Sequence, residues 1–366
     1  MRLAVIIGTR AQMVKMAPVM RGLQDAGLDY WFLHTGQHCE TFNDLRRDFG
    51  VKPPDAEAVA SADDAKTLLR FGGWSLYAAA ALALSRRRIL PLTGGLVLVH
   101  GDTASTVWGA LLGRLTGNRV VHVESGLRSF RLLHPFPEEL FRLITFRLAQ
   151  VYACPDAWAM QNLKAYRGER LDLGGNTLYD ALLRALQAEV EPAPPPPEGR
   201  FGVVSIHRFE TLYRRGRLGA VVDGVLAAAR HCPMLVIAHP PLVQRLRGTG
   251  LLTALNDAAE VRLVPRMSYF PFITLLRRSA FVVTDGGSNQ EELAYLGKPT
   301  LVLRDATERQ EGLGANAMLA PVAAASIRDF VGAADGCRRP PLCYAHSPSG
   351  RLVYWLRQEL GEAAAA

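Results

Sequence analysis

The chain reads as an α/β protein of two doubly wound, Rossmann-like parallel-sheet domains facing a central cleft. Three observations predict this. Short apolar runs alternate with longer helical patterns along nearly the whole chain. A single proline-rich break divides it near the middle. Polar, glycine and ionisable residues collect just after the apolar runs in both halves. Apolar runs separated by helices are the pattern of parallel strands buried on both faces, and ligands of such sheets bind beyond the carboxyl ends of the strands.

The strands are expected, in order, at 2–8, 29–35, 95–101, 119–124, 150–154 and 170–174 in the first half. In the second half they are expected at 201–206, 233–238, 260–264, 279–285 and 299–303. Between the halves lies AEVEPAPPPPEGR, residues 188–200. Its clustered prolines cannot propagate a helix or a central strand, so it reads as a stiff connector. Domains are therefore expected at 1–187 and 201–347. A final helix at roughly 349–361 follows a Pro-Ser-Gly turn, and residues 348–366 are expected to pack back onto the first domain.

A length of 366 residues suits two domains. The 49% apolar and 21% charged composition excludes collagen-like, coiled-coil and disordered chains. No stretch approaches the about 18 uncharged apolar residues of a membrane span. The best candidate, Trp74 to Ser85, runs straight into Arg86-Arg87-Arg88 and reads as a packed helix. The opening MRLAVIIGTR lacks a small-residue cleavage site and is not read as a signal peptide. Five scattered cysteines (Cys39, Cys154, Cys232, Cys337, Cys343) form no C-x-x-C pair, which argues against a disulfide framework or structural zinc and for the cytoplasm. A net charge of +8 favours anionic partners such as nucleotide-sugars. No basic run with interleaved aromatics appears, so neither nucleic acid nor a membrane is an expected partner.

The candidate site residues follow the strands. Gly286, Gly287 and Ser288 precede an apparent helix. Its amino terminus would offer unpaired N–H groups and a positive dipole end to a phosphate, or simply be a capped turn. Arg10 and Arg208 each sit just past the opening strand of a half, where an arginine fork binds phosphate oxygens or forms a surface ion pair. Asp102, Glu124 and Glu138 follow two strands of the first half, near Lys15. Buried carboxylates of this kind are general acids and bases, helix caps or salt-bridge partners. His207 is placed to give a proton to a leaving phosphate or to serve as a structural cap. His38 and His239 also follow strands. No metal-ligand spacing occurs, so no metal is expected. The absence of G-x-G-x-x-G after the first strand, of G-x-x-x-x-G-K-[ST] and of G-x-S-x-G leaves redox, ATPase and α/β-hydrolase readings without support.

Taken in order, GTRAQMVKMAPVM, TGQH, VHGDT, VESGLRS, PFPEELFR, GNTLYDAL, SIHRFE, AHP, TDGGSNQEELAYLGKP and RDATERQEG resemble the UDP-N-acetylglucosamine 2-epimerases. The resemblance runs from Arg10 to about Leu319. It implies a GT-B-type fold, C2 epimerisation of a UDP-N-acetylhexosamine without a bound redox cofactor, and a homodimer. Carried over by position, it makes Lys15, Asp102, Glu124, Glu138 and His207 catalytic. It makes Arg10, Arg142, His207, Arg208, His239, the turn from Gly286 through Gly287 to Ser288, and Glu292 substrate-binding, with Glu292 on the ribose. Gln37 and His38 match a segment that in bacterial members contacts a second, activating UDP-N-acetylglucosamine. Many members read GTRPEAIK, HRREN and DSGGIQEE where this chain has GTRAQMVK, HRFET and DGGSNQEE, so Gly286 stands where a serine is common. Three alternatives to a non-hydrolysing epimerase stay open: a hydrolysing one releasing N-acetylmannosamine and UDP, a GT-B glycosyltransferase, and a nucleotide-sugar sensor.

Overall fold

A computed structural model describes residues 2–36, 42–58, 88–132, 137–307 and 309–365. The chain divides into two compact units, Met1–Arg184 together with Tyr344–Ala366, and Ala185–Cys343. The helix expected at Trp74 to Ser85 lies outside the described residues.

The first unit holds β1 (Leu3–Ile7), β2 (Trp31–His34), β3 (Ala56–Glu57), β4 (Leu96–His100), β5 (Arg119–Val123), β6 (Val151–Cys154) and β7 (Glu169–Asp172). They form one parallel sheet in the order β3-β2-β1-β4-β5-β6-β7. The second unit holds β8 (Gly202–Ser205), β9 (Met234–Ala238), β10 (Val261–Pro265), β11 (Phe281–Thr284), β12 (Thr300–Leu303) and β13 (Ala317–Ala320), ordered β10-β9-β8-β11-β12-β13 and again parallel. Every strand the sequence predicts is present. β3 and β13 are additions, both at sheet edges. One expectation of burial fails at β7, whose Glu-Arg-Leu-Asp residues are largely exposed because it pairs on one side only.

These orders fix where a ligand can go. Strand order reverses between β1 and β4 in the first sheet and between β8 and β11 in the second. In a doubly wound sheet the crevice at such a switch point is the binding position. Close packing holds the crevice edges. In the helix Ala104–Leu115, a Cβ added at Gly109 would lie 2.8 Å from Val99 and one at Gly113 3.0 Å from Val120, so only glycine lets this helix lie on β4 and β5. Gly8, just past β1, is tighter still: a Cβ there would fall 1.9 Å from Thr35 Oγ1.

The proline-rich connector belongs to the second unit, where Arg278 forks onto Glu191 and Arg262 donates to the Pro195 carbonyl. The C-terminal helix Pro348–Ala365 belongs to the first. Asp180 accepts the Ser349 N–H at 2.7 Å, satisfying one of the donors that a helix start leaves unpaired. Leu352 and Leu356, one turn apart, are fully buried. Trp355 and Arg119 tie the exposed side to Glu169 and Glu359. Replacing Leu356 by Ala is expected to lower the unfolding free energy by about 2–4 kcal/mol, the range for a truncated core leucine, as read by urea denaturation followed with tryptophan fluorescence.

Candidate active site

At the first switch point the helix Arg10–Asp25 starts from Thr9, whose hydroxyl accepts the Gln12 N–H while Gln12 Oε1 accepts the Thr9 N–H, a capping box. Gln12 is itself buried and does more than cap. Its Oε1 also accepts the Gly8 N–H at 2.9 Å, and its Nε2 donates to the His100 carbonyl at 2.7 Å, so one amide joins the loop after β1 to the loop after β4. Lys15, three residues on and slightly less than one turn, points inward and is buried. Its Nζ lies 2.6 Å from Glu124 Oε1.

Glu124 ends β5 with φ at 61°, a left-handed conformation costly for a residue with a Cβ. The payment is made by its carboxylate, which is nearly wholly enclosed by partners from three other segments. Oε1 takes Lys15 and the Asn176 amide at 2.9 Å. His100 Nε2 lies 3.1 Å from Oε2, not aligned for a directed hydrogen bond.

Asp102, two residues beyond β4, is more open, with 28% of its side chain exposed against 6% for Glu124. Its partner is Arg142, on the helix Glu138–Leu148. Arg142 also donates to Glu139 at 3.0 Å, and Glu139 takes Arg128 Nε on its other oxygen and the Ser129 N–H at 3.1 Å. The result is a continuous chain of alternating charge from Asp102 through Arg142 and Glu139 to Arg128. Burial raises the Glu139 pKa, but the hydrogen bonds from Arg128, Ser129 and Arg142 more than reverse this, and its carboxyl sits below its ordinary value near 4.5.

At the second switch point the organising group is Asp285, fully buried past β11. Its carboxylate accepts the backbone N–H of His207 at 3.0 Å and of Arg208 at 2.9 Å, which fixes the loop after β8 while the His207 ring stays 42% exposed. The His207 and His239 rings are 5.0 Å apart, and His239 Nε2 meets Ser205 Oγ at 3.1 Å. The helix Gly287–Tyr295 begins at Gly286 with no side chain capping it, so its first N–H groups and dipole end are available to an anion. A Cβ on Gly286 would lie 3.0 Å from the His207 ring; close approach, not backbone angle, is what glycine allows here. Glu292, one turn on, accepts from Asn289 at 3.0 Å. Among the described residues no group of His, Cys, Asp and Glu could hold a metal ion.

A family model described as UDP-N-acetylglucosamine 2-epimerase matches residues 21–334. The chain belongs to the UDP-N-acetylglucosamine 2-epimerase family. It is therefore an enzyme, an isomerase. A Ralstonia solanacearum protein named a probable UDP-N-acetylglucosamine 2-epimerase is 30% identical over 371 residues, 95% of each chain. A Pseudomonas aeruginosa relative named UDP-2,3-diacetamido-2,3-dideoxy-D-glucuronate 2-epimerase is 29% identical over 333 residues, 87% of this chain and 88% of that one. The solved structure of the Methanocaldococcus jannaschii UDP-GlcNAc 2-epimerase in complex with UDP-GlcNAc and UDP matches with a TM-score of 0.80 at 24% identity, over 98% of this chain and 100% of that one. It shares the two parallel-sheet α/β domains of the GT-B-like fold.

Within the family fold, the residues expected from sequence fall into two groups, one in each unit. Lys15, Asp102, Glu124 and Arg142 meet at the first switch point, where Arg10 opens the helix that carries Lys15. His207, Arg208, His239, Gly286, Gly287, Ser288 and Glu292 gather at the second. Glu138 is half-buried at the start of its helix, and its neighbour Glu139 holds the arginines. Gln37 and His38 lie outside the described residues. Sequence reasoning did not single out Gln12, His100, Glu139, Asn176 or Asp285 as site residues, although each lies inside or beside a motif that it quoted.

Replacing Glu139 by Ala leaves Arg128 and Arg142 without their shared counter-ion and is expected to cost about 3–5 kcal/mol in urea unfolding at pH 7. The folded pKa is depressed, so the stabilisation is complete above the unfolded value and disappears as pH falls through the folded one. The gap between wild type and variant should therefore close on acidification.

Proposed function

We propose that the chain interconverts UDP-N-acetylglucosamine and UDP-N-acetylmannosamine, without net hydrolysis, by eliminating and re-adding UDP. The observation that carries this reading is the placement of two carboxylates, Asp102 and Glu124, just past the ends of neighbouring strands β4 and β5, each held by its own cation. The sugar C2–H is not acidic, so a base alone will not remove it. Breaking the C1–O bond first, with charge on the departing diphosphate stabilised by Arg10, Arg208, His207 and the amino terminus of the helix Gly287–Tyr295, gives C1 cationic character and acidifies C2–H. A carboxylate then takes the proton, leaving a 2-acetamidoglucal; protonation of C2 on the opposite face and return of UDP to C1 complete the exchange.

Asp102 is the better base. Its carboxylate is the more exposed of the two, and Arg142 holds it in place. Glu124, tied to Lys15 and Asn176, fits positioning the sugar or returning a proton. Glu138 is assigned to the same proton-returning side. In the second unit, Glu292 is assigned to the ribose hydroxyls and His239 to the diphosphate.

Incubation with UDP-N-acetylglucosamine alone in D₂O tests the reaction. The expected product is UDP-N-acetylmannosamine carrying deuterium at C2. Free sugar plus UDP would make the enzyme a hydrolysing epimerase, and an unlabelled C2 would reject proton abstraction. Turnover of the diacetamido-glucuronate nucleotide alone would move the substrate assignment. Asp102→Asn is expected to lower kcat by about 10²–10⁴, the usual contribution of a general base. Its UDP affinity by calorimetry should stay unchanged, because the nucleotide-binding residues lie mostly in the other unit. Near-normal turnover in that variant would transfer the base role to Glu124.

A further inference from the structure

His122 is fully buried on β5, where a hydrocarbon side chain would cost less to enclose. Both ring nitrogens are used. Nε2 lies 2.7 Å from the Gly101 carbonyl oxygen and Nδ1 2.9 Å from Ser125 Oγ. A carbonyl only accepts, so Nε2 carries the proton, and Nδ1 then accepts from the serine hydroxyl. In a neutral ring, the tautomer is thus set by its partners.

The two contacts fall beside the two carboxylates. The Gly101 carbonyl belongs to the peptide that leads into Asp102, and Ser125 directly follows Glu124. Gly101 and Glu124 both have left-handed backbones, with φ at 69° and 61°. Glycine adopts such a backbone freely, but Glu124 holds it only because its surroundings over-determine it. A second tie between the loops, from Gly101 N–H to the Val123 carbonyl at 3.0 Å, runs alongside the imidazole.

We propose that His122 is a positioning residue for the epimerisation, a neutral imidazole clamp that fixes the loops carrying Asp102 and Glu124 at their working separation. This rests on the assignment of those carboxylates to proton transfer at C2.

The electrostatics agree with a neutral clamp. Burial lowers the His122 pKa, the hydrogen bond to Gly101 opposes this, His100 lowers it further, and Asp102 and Glu124 raise it; the balance is about 4. These groups face it from β4, the turn after β4 and the turn after β5, while the helix Glu138–Leu148 presents the Phe146 ring, 5.7 Å away between centroids. With the folded pKa below the unfolded value of 6.5, the ring's contribution to stability is complete above pH 6.5 and is lost as pH falls from there towards 4.

The test compares His122→Phe, which fills the ring space and holds neither loop, with His122→Gln, whose amide can still donate to Gly101. In folded His122→Phe, kcat should fall at least about tenfold while KM and UDP affinity stay within about twofold, and His122→Gln should recover to within about threefold of wild type. The drop in urea midpoint between pH 7 and pH 5 should be smaller in both variants than in wild type. Nitrogen-15 shifts of the wild-type ring should report a neutral Nε2–H tautomer at pH 7. Wild-type kcat in folded His122→Phe, a KM rise matching the kcat loss, or a cationic or Nδ1–H ring each overturns the proposal. Should the Phe variant not fold, a kcat loss in His122→Gln as large as in Asp102→Asn overturns it, and recovery supports it. A wild type that leaves UDP-N-acetylglucosamine unchanged in the same assay overturns the functional reading, and positioning with it; the tautomer measurement still reports the clamp.

Discussion

The burial of the Glu124 carboxylate is the constraint on which the first unit's functional edge depends. A carboxylate at the end of a buried parallel strand stays charged only where a cation and hydrogen-bond donors meet it, because the interior does not solvate it. Here the cation comes from a helix that starts just past β1, one donor from the segment before the helix Leu178–Ala188, and the third neighbour from the end of β4. None of these is close to Glu124 in sequence; Lys15 is 109 positions away. Each must therefore arrive by sheet order. The β1-β4-β5 adjacency brings Lys15 and His100 to it, the segment after β7 brings Asn176, and the glycines at 8, 109 and 113 allow the approach.

The second unit uses a buried acid to a different end. Asp285 takes the backbone N–H groups of His207 and Arg208, with the His207 ring Nδ1 3.4 Å from the same carboxylate. A carboxylate whose hydrogen bonds go to the main chain shapes a loop without pairing with the guanidinium that the loop carries. This explains how a buried aspartate and an uncapped helix start can sit beside an arginine without cancelling its field.

The fold was legible because most of its strands are short, apolar and buried, and because the proline cluster at 192–197 admits neither helix nor central strand. The two missed strands lack that signal: Ala56–Glu57 is a two-residue pairing, and Ala317–Ala320 contains no β-branched residue and lies at an edge. At the site, residues that end apolar runs stood out, such as Asp102, Glu124 and His207. Their holders did not. Glu138 and Glu139 are consecutive on a helix and point about 100° apart, so a sequence of two glutamates does not say which meets the arginines. His122 and His100 sit within strand patterns, where an inward polar residue reads as a lapse in an apolar run. Gln12 reads as an ordinary helix residue until the β4 carbonyl it reaches is placed next to it. What sequence conveys here is the chemistry of exposed ends; what it hides is the second residue of each long-range pair.

Charge accounting then separates the tasks of the two units. In the first, three carboxylates (Asp102, Glu124, Glu139) are matched by three cations (Lys15, Arg128, Arg142), all within hydrogen-bonding distance. A set balanced in this way exerts little net field on an approaching diphosphate, since each cation faces an acid of this chain. It is suited to holding carboxylates in place. In the second unit the buried acid takes backbone N–H groups, and Arg208 and the amino terminus of the helix Gly287–Tyr295 keep their positive character beside the part-exposed His207 ring. For the proposed reaction, this difference in where each acid places its lone pairs puts most of the diphosphate contacts, Arg10 apart, with the second unit and proton transfer with the first.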